Sequence, residues 1–302
     1  MSVAIKKPWK AAHKKADGLT IFFYVLIVII VLICAIPFWI IVVGSLSRES
    51  DVIANGYSMW PQHFSTAAYQ LVFQAPVRIL QAYRVSFIIT ISGTLVSLFF
   101  SSMAAYVLMR KDFKYRNAIA MLLYFPSIFS GGMLPSYLLV VKYLGLKDSL
   151  LALILPGMIS SWNIFLLRNF MSDIPDSIME SAKLDGANDF LIFIKLYLPL
   201  SKAGLATIGL FTALGYWNSW SGAMLYINSA DKYPLQYLLY SMLSNIQGAK
   251  EMAAASGVVM PDLPGETYKM AMAMVTTGPI LLLYPFVQRY FVKGITVGAV
   301  KG

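Results

Sequence analysis

Glu180 lies in the most chemically suggestive stretch of the chain, Arg168 to Lys202, which reads RNFMSDIPDSIMESAKLDGANDFLIFIKLYLPLSK. Its carboxylates, Asp173, Asp176, Glu180, Asp185 and Asp189, alternate with Arg168, Lys183, Lys195 and Lys202. Such a mixture suits charge-assisted hydrogen bonds to a neighbouring protein. No catalytic constellation accompanies it, so the chain is not read as an enzyme. His13 and His63 lie far apart, without cysteine or acidic ligand partners close in sequence, and form no metal-site pattern. The lone Cys34 excludes a disulfide framework within the chain and is expected as a small buried apolar residue. The sequence G-x-x-x-x-G-K-[ST] does not occur, so no phosphate-cradling loop is expected here.

The elements that position Glu180 follow from local signals. Asp173 can cap a helix with Pro175 in its first turn. Ile174, Ile178 and Ala182 then share one face of a helix over Ile174 to Leu184. Gly186 suits a left-handed stop. Asn188 or Asp189 can cap a second helix, Phe190 to Leu198, which Pro199 ends. The stretch therefore predicts a helix–turn–helix elbow with Asp176, Glu180, Lys183 and Asp185 open to solvent or a partner. A purely structural elbow and a docking helix are both consistent with that periodicity.

The elbow is set between apolar runs. Hydrophobic residues make up 58% of the 302 residues and charged residues only 13%, about half the share in a typical soluble domain. Six runs lack Asp, Glu, Lys and Arg entirely: Leu19 to Leu46, Val85 to Met109, Ala118 to Val141, Ser149 to Leu167, Ala203 to Ile227 and Met270 to Gln288. Each is long enough to cross a bilayer, which needs about 20 apolar residues. The expected fold class is an all-α membrane protein with six transmembrane helices. The first run is too long for a signal-peptide core and lacks a small-residue cleavage site, so it is expected to be retained.

Basic residues set the orientation. Lys6, Lys7, Lys10, Lys14, Lys15, Arg110, Lys111, Lys114, Arg116, Arg168, Lys183, Lys195, Lys202, Arg289, Lys293 and Lys301 fall on one side. The smaller set Arg48, Arg78, Arg84, Lys142, Lys147, Lys232, Lys250 and Lys269 falls on the other. Both termini are therefore expected in the cytoplasm, and the net charge of +10 is a mark of topology rather than of nucleic-acid binding. Two long outer segments remain. Ser47 to Arg84 holds Tyr57, Trp60 and Phe64 and a short amphipathic stretch, Ser65 to Phe73. Asn228 to Lys269 holds a helix-like run, Pro234 to Ile246, and the turn-rich Gly257 to Gly265. Such loops suit docking of a partner or substrate, or simply cap the bundle. No run carries an intramembrane charge, which argues against a proton- or sodium-coupled carrier.

Glu180-Ser181-Ala182, three residues, Gly186, nine residues, then Leu196-Tyr197-Leu198-Pro199 resembles the EAA loop, EAA-x3-G-x9-I-x-LP, of binding-protein-dependent ABC importer permeases. Ser181 replaces the central Ala and Leu196 the Ile. The ending Gly278 to Gly302, the segment Ser161 to Phe170 and the segment Gly215 to Trp220 resemble sugar permeases of the maltose-permease type, most of all those for complex oligosaccharides or polysaccharide fragments.

The resemblance implies a type I importer in the bacterial cytoplasmic membrane. A second homologous permease completes the pore, two ATPase subunits bind ATP and Mg, and an extracytoplasmic solute-binding protein delivers an oligosaccharide. It implies a permease domain over 19–292, with cytoplasmic tails 1–18 and 293–302 and a coupling loop over 168–202. No cofactor is expected in this chain. Glu180, Ser181, Ala182, Asp185, Gly186, Leu198 and Pro199 would couple to the ATPase, with Glu180 pairing to a basic group there. For a sugar pathway the candidates are Trp162, Asn163, Trp217, Asn218 and Trp220, which can stack on sugar faces or bond hydroxyls. The alternatives are packing of the Trp residues between helices or at the bilayer interface, and hydrogen bonding of the Asn residues to neighbouring helices. Pro126, Gly131, Gly132 and Pro135 can break the third run beside a cavity or pack against the partner. A permease for another solute (amino acid, phosphate, metal) and a non-transporting scaffold are the alternative functions.

Overall fold

A computed structural model describes residues 18–74, 76–256, 265–279 and 281. The expected N-terminal tail, the turn-rich stretch from Gly257, the later part of the sixth run and the C-terminal tail lie outside the described residues. Among the described residues the fold is helical, with no strands and one isolated antiparallel bridge, Ser47 to Phe64.

The first run forms α1, Gly18–Ser45. It is apolar on every side, with a mean hydropathy of 3.4 over its best window, and is exposed along nearly its whole length. Only Val43, Gly44 and Ser45 at its end are buried. A helix that is apolar all round needs lipid or another apolar neighbour. Cys34 is exposed on it rather than buried.

After α1 the chain makes two short helices, α2 (Glu49–Asn55) and α3 (Ala67–Val72). The latter is the expected amphipathic stretch, tucked in by buried Ala68 and Val72. His63 does have an acidic partner, which sequence distance concealed: its Nδ1 lies 3.0 Å from Asp51 Oδ2.

The second run is longer than expected. It begins at Pro76, which suits a first helical turn, and continues unbroken as α4 to Met109. At 1.5 Å per residue this helix is about 50 Å long, well beyond the ~30 Å hydrocarbon layer. It is the spine of the molecule. Ile79 and Ala82 join a cluster with Trp217, Leu235 and Tyr268 at one end. Val85 and Ile89 pack with Ile154 and Tyr216 further along. Ala105, Tyr106 and Leu108 join Ile164, Leu167, Phe193 and Tyr197 at the other end.

Three further stretches are bent, so among the described residues there are two unbroken helices long and apolar enough to cross a bilayer, or up to five if each bent pair counts as one. Helices α5 (Arg116–Ile128) and α6 (Met133–Leu138, extended by a π turn to Tyr143) meet at 115°. The break falls at Gly132, whose φ of +86° is left-handed, so glycine is needed there. Helix α7 (Leu151–Ile154), with a 3₁₀ turn to Gly157, meets α8 (Ser161–Ser172) at 52°. Ser160 caps α8 by accepting from the Asn163 N–H.

The elbow helices α9 (Asp176–Leu184), α10 (Asp189–Ile192) and α11 (Leu198–Leu200) follow. Helix α12 (Lys202–Asn218) stops before the expected end of the fifth run. Ser219 is extended, and a separate helix α13 (Ser221–Tyr226) follows. Helix α14 runs from Leu235 to Ala255, past the expected end at Ile246. A further helix covers 266–279.

Tyr216 shows how the bends are held. Its ring fills the space over Gly93, where a Cβ would come within 2.6 Å of it. Its hydroxyl donates to the Ile154 carbonyl at 2.8 Å, where α7 passes into the 3₁₀ turn. Gly93→Leu therefore expels the ring and loses that bond, a cost of about 1–3 kcal/mol from overpacking. We expect a lower thermal midpoint for the purified variant in detergent, and a smaller drop for Tyr216→Phe. An unchanged midpoint for Gly93→Leu refutes this account of the slot.

Candidate functional site

The elbow is attached to the end of α4 by ion pairs. Arg110, just past the helix end, pairs with both Asp112 and Asp189. A cation at that position also complements the dipole of α4. Lys183 Nζ lies 3.7 Å from Asp112, and Lys111 donates to Asp176 at 2.9 Å. The hydrogen bond from Arg110 holds the Asp112 carboxyl at about 2, below its ordinary value. The hydrogen bonds to Asp112 and Asp189 raise the Arg110 guanidinium further. Neither group changes charge near neutral pH, so the clasp is constitutive.

The helices match local expectation in part. Helix α9 starts at Asp176, with Pro175 in the capping position and no cap from Asp173. Pro175 has the extended ψ of 134°, so the helix cannot begin earlier. Its end is as expected. Gly186 has φ +81°, its N–H bonds the Lys183 carbonyl and the Ala187 N–H bonds the Ala182 carbonyl, each at 3.0 Å. That pair of bonds is the Schellman arrangement. Asn188 caps α10 by accepting from the Leu191 N–H at 2.8 Å, while Asp189 serves the clasp.

Pro199 does not end the second helix. The chain widens into a π turn over Phe193–Tyr197, continues through Pro199 to Leu200, and turns by 81° at Ser201 into α12. The wider turn accommodates the N–H that proline lacks.

Helix α9 has two unlike faces. Ile174, Ile178 and Ala182 are half-buried, and Ile174 and Ala182 pack on the cluster of α4, α8 and the π turn. Glu180, Ser181, Asp185 and Pro199 are exposed, and Leu198 is half-buried against that same cluster. Among the described residues the side chains of Glu180, Ser181 and Asp185 have no hydrogen-bond or ion-pair partner. Leu184, one turn after Glu180, is 89% exposed. Sequence reasoning missed Leu184. The available signal was a leucine at i+4 from Glu180, on the polar side of the helix. A bare carboxylate beside a bare leucine on a braced helix can receive a cation and an apolar wall from another protein.

The five pathway candidates separate. Asn163 donates to Thr212 Oγ1 at 3.1 Å, and both line a 440 Å³ cavity with Gly157, Gly215, Ser219 and Tyr226. Trp162 is 74% exposed. Trp217 is buried between helices, its ring against Phe87 and its Nε1–H donating to the Thr276 carbonyl at 3.2 Å. Asn218 is exposed and accepts from Gln236. Trp220 stacks on Tyr240 beside a second cavity.

Two carboxylates with structural roles were not foreseen. Glu49 is buried. It accepts from the Gly265 and Glu266 N–H groups at 2.8 Å, from the Thr267 N–H at 2.9 Å and from the Thr267 hydroxyl at 2.7 Å. It thereby caps the 266–279 helix across the whole fold. Asp148, at a left-handed φ of 58°, accepts from the Asn228 and Ser229 N–H groups, the Ser229 hydroxyl and Lys232. The Ser229 hydrogen bonds come first in holding its carboxyl well below the usual range.

The sequence matches a family model described as binding-protein-dependent transport system inner membrane component over residues 97–297. It is 42% identical to the polygalacturonan/rhamnogalacturonan transport system permease protein YtcP of Bacillus subtilis, over 92% of this chain and 96% of that one. It is 40% identical to protein LplC of the same organism, over 89% and 90% of the two chains. The fold superposes with a TM-score of 0.77 on a chain of a bacterial ABC transporter involved in the import of the acidic polysaccharide alginate. That match covers 94% of this chain and 100% of the other at 28% identity.

Proposed function

Because the chain belongs to the family of binding-protein-dependent transport system inner membrane components, we propose that it is the permease subunit of an ATP-driven importer for oligosaccharides or polysaccharide fragments. The transport substrates named for its relatives, and the likeness to them over nearly the whole chain, support the substrate class. It forms half of the pore with a second, homologous permease. An extracytoplasmic binding protein delivers the solute. Two ATPase subunits bind ATP and Mg on the cytoplasmic side.

The observation that carries the coupling role is the exposed Glu180 and Leu184 face on a helix whose opposite face is packed and whose flanks are ion-paired. A load on α9 passes through the Asp176–Lys111 pair, and from Lys183 through Asp112 to Arg110, to the end of α4, and through the corner at Ser201 to α12. Those two helices pack on one another through Gly93 and Tyr216, so the load is carried along the bundle. Six spans with both termini cytoplasmic complete this reading. The sixth begins in the 266–279 helix, and the bent pairs count as single crossings.

Purification of the tagged chain from its native membrane in mild detergent tests the proposal. We expect an ATPase subunit and a second permease to co-purify. Recovery of the chain without either overturns it.

A further inference from the structure

Helix α14 and the residues just before α13 and α14 carry an aromatic shelf that the elbow does not use. Trp220 stacks on Tyr240 with ring centres 4.5 Å apart and planes 29° from parallel. Tyr240 continues to Tyr237 at 6.5 Å and 23°, and Tyr233 meets Tyr237 edge-on at 4.6 Å. Trp220 and Tyr240 remain 40% and 41% exposed. They border a 310 Å³ cavity whose polar wall is Gln236, Lys269 and Thr276.

The polar wall contains an ion-paired ammonium. Lys269 Nζ donates to Glu266 Oε1 at 2.6 Å, and Glu266 Oε2 accepts from the Tyr57 hydroxyl at 3.1 Å. Both oxygens of Glu266 are thus engaged, and among the described residues the Lys269 ammonium keeps two of its three N–H donors for another acceptor. Gln236 gives one N–H to Asn218 at 3.4 Å and retains its carbonyl and second N–H. An aromatic face, a free amide and an anchored ammonium match the three surfaces of an acidic sugar. Its C–H face packs on an aromatic ring, its hydroxyls pair with the amide, and its carboxylate takes the ammonium in a charge-assisted bond.

We propose that this shelf is a subsite for uronate-bearing oligosaccharides, with Trp220 as the platform and Lys269 as the residue that reads the carboxylate. This rests on the carbohydrate reading above. The cavity is at the small end of ligand sites, which run from about 300 to 1,000 Å³, so it holds one or two sugar units of a longer chain.

The test uses the whole importer in liposomes with three probes: trigalacturonate, its methyl ester and maltotriose. Wild type takes up trigalacturonate in preference to the ester. Lys269→Gln shrinks that preference about tenfold, the loss of one charge-assisted contact, while Lys269→Arg keeps most of it. Trp220→Ala lowers uptake of both galacturonate probes. Blotting of the assembled complex confirms that each variant is present at wild-type level. An unchanged preference in Lys269→Gln, or wild-type uptake of maltotriose alone, overturns the subsite and leaves the carbohydrate reading standing. Uptake of none of the three probes by an importer that retains its ATPase subunits overturns both.

Discussion

Glu180→Lys abolishes transport while the protein accumulates in the membrane at its normal level. Glu180 is exposed and has no side-chain partner among the described residues, so its replacement removes nothing from the fold. Lysine is a good helix former, and at 180 it sits one turn after Asp176, a favourable spacing. On the coupling role proposed above, the loss is confined to the contact with the ATPase. Placing a cation against a basic group in a desolvated pocket costs about 2–5 kcal/mol, so association weakens about 100-fold or more. Leu184→Ser gives a smaller loss, about tenfold, for the apolar half of the same face. Co-purification of the ATPase and substrate-stimulated ATP hydrolysis in liposomes are the measurements. Wild-type hydrolysis by Glu180→Lys excludes this face as the site of coupling.

The second large effect is on stability. Glu49→Ala leaves three backbone N–H groups and one hydroxyl without their acceptor in a buried place. Hydrogen bonds to a charged group are each worth about 1.5–3 kcal/mol. Partial rescue by water lowers the sum, and we expect a loss of about 3 kcal/mol, read as a lower unfolding midpoint in detergent. Burial pushes the Glu49 carboxyl up, but the bonds from Thr267, Glu266 and Gly265 together outweigh it, and its pKa lies below the ordinary value. The sign of the pH effect follows. A depressed folded-state pKa contributes stability that is present above the unfolded value and is lost as pH falls through the folded one. The wild-type midpoint should therefore drop on acidification below the ordinary carboxylate range. Glu49→Gln should show a flatter profile there, and equal slopes for the two would rule out the cap as the source.

What the sequence made legible was whatever a few neighbouring residues decide. Gly186 was readable as a left-handed stop because only glycine is at ease there. Asn188 was readable as a cap because its acceptor serves a donor three residues on. The apolar runs were readable because a bilayer demands their length. The bends were less so. Gly131 and Gly132 marked the break in the third run, but the turn at Ser201 depends on a π turn that no composition announces. The clasp by Arg110 and the cap by Glu49 join residues that chain distance hides, 216 or more apart in the second case. Trp217 was readable either as a pathway residue or as packing between helices; its burial and its bond to the Thr276 carbonyl depend on a partner 59 residues away that nothing near it in sequence announces.

The Glu49 cap also sets an order of events during synthesis. Its carboxylate emerges with the first fifth of the chain, and the Thr267 donors come 218 residues later. At about 5–20 residues per second the ribosome needs roughly 10–45 s to supply them. Throughout that interval α2 cannot take its final place, because an unpaired carboxylate does not enter an apolar interior. A nascent chain thus keeps Glu49 uncovered until the start of the 266–279 helix arrives. Burial of Glu49 is therefore tied to the arrival of residues 265–267, not to any segment near it in the chain.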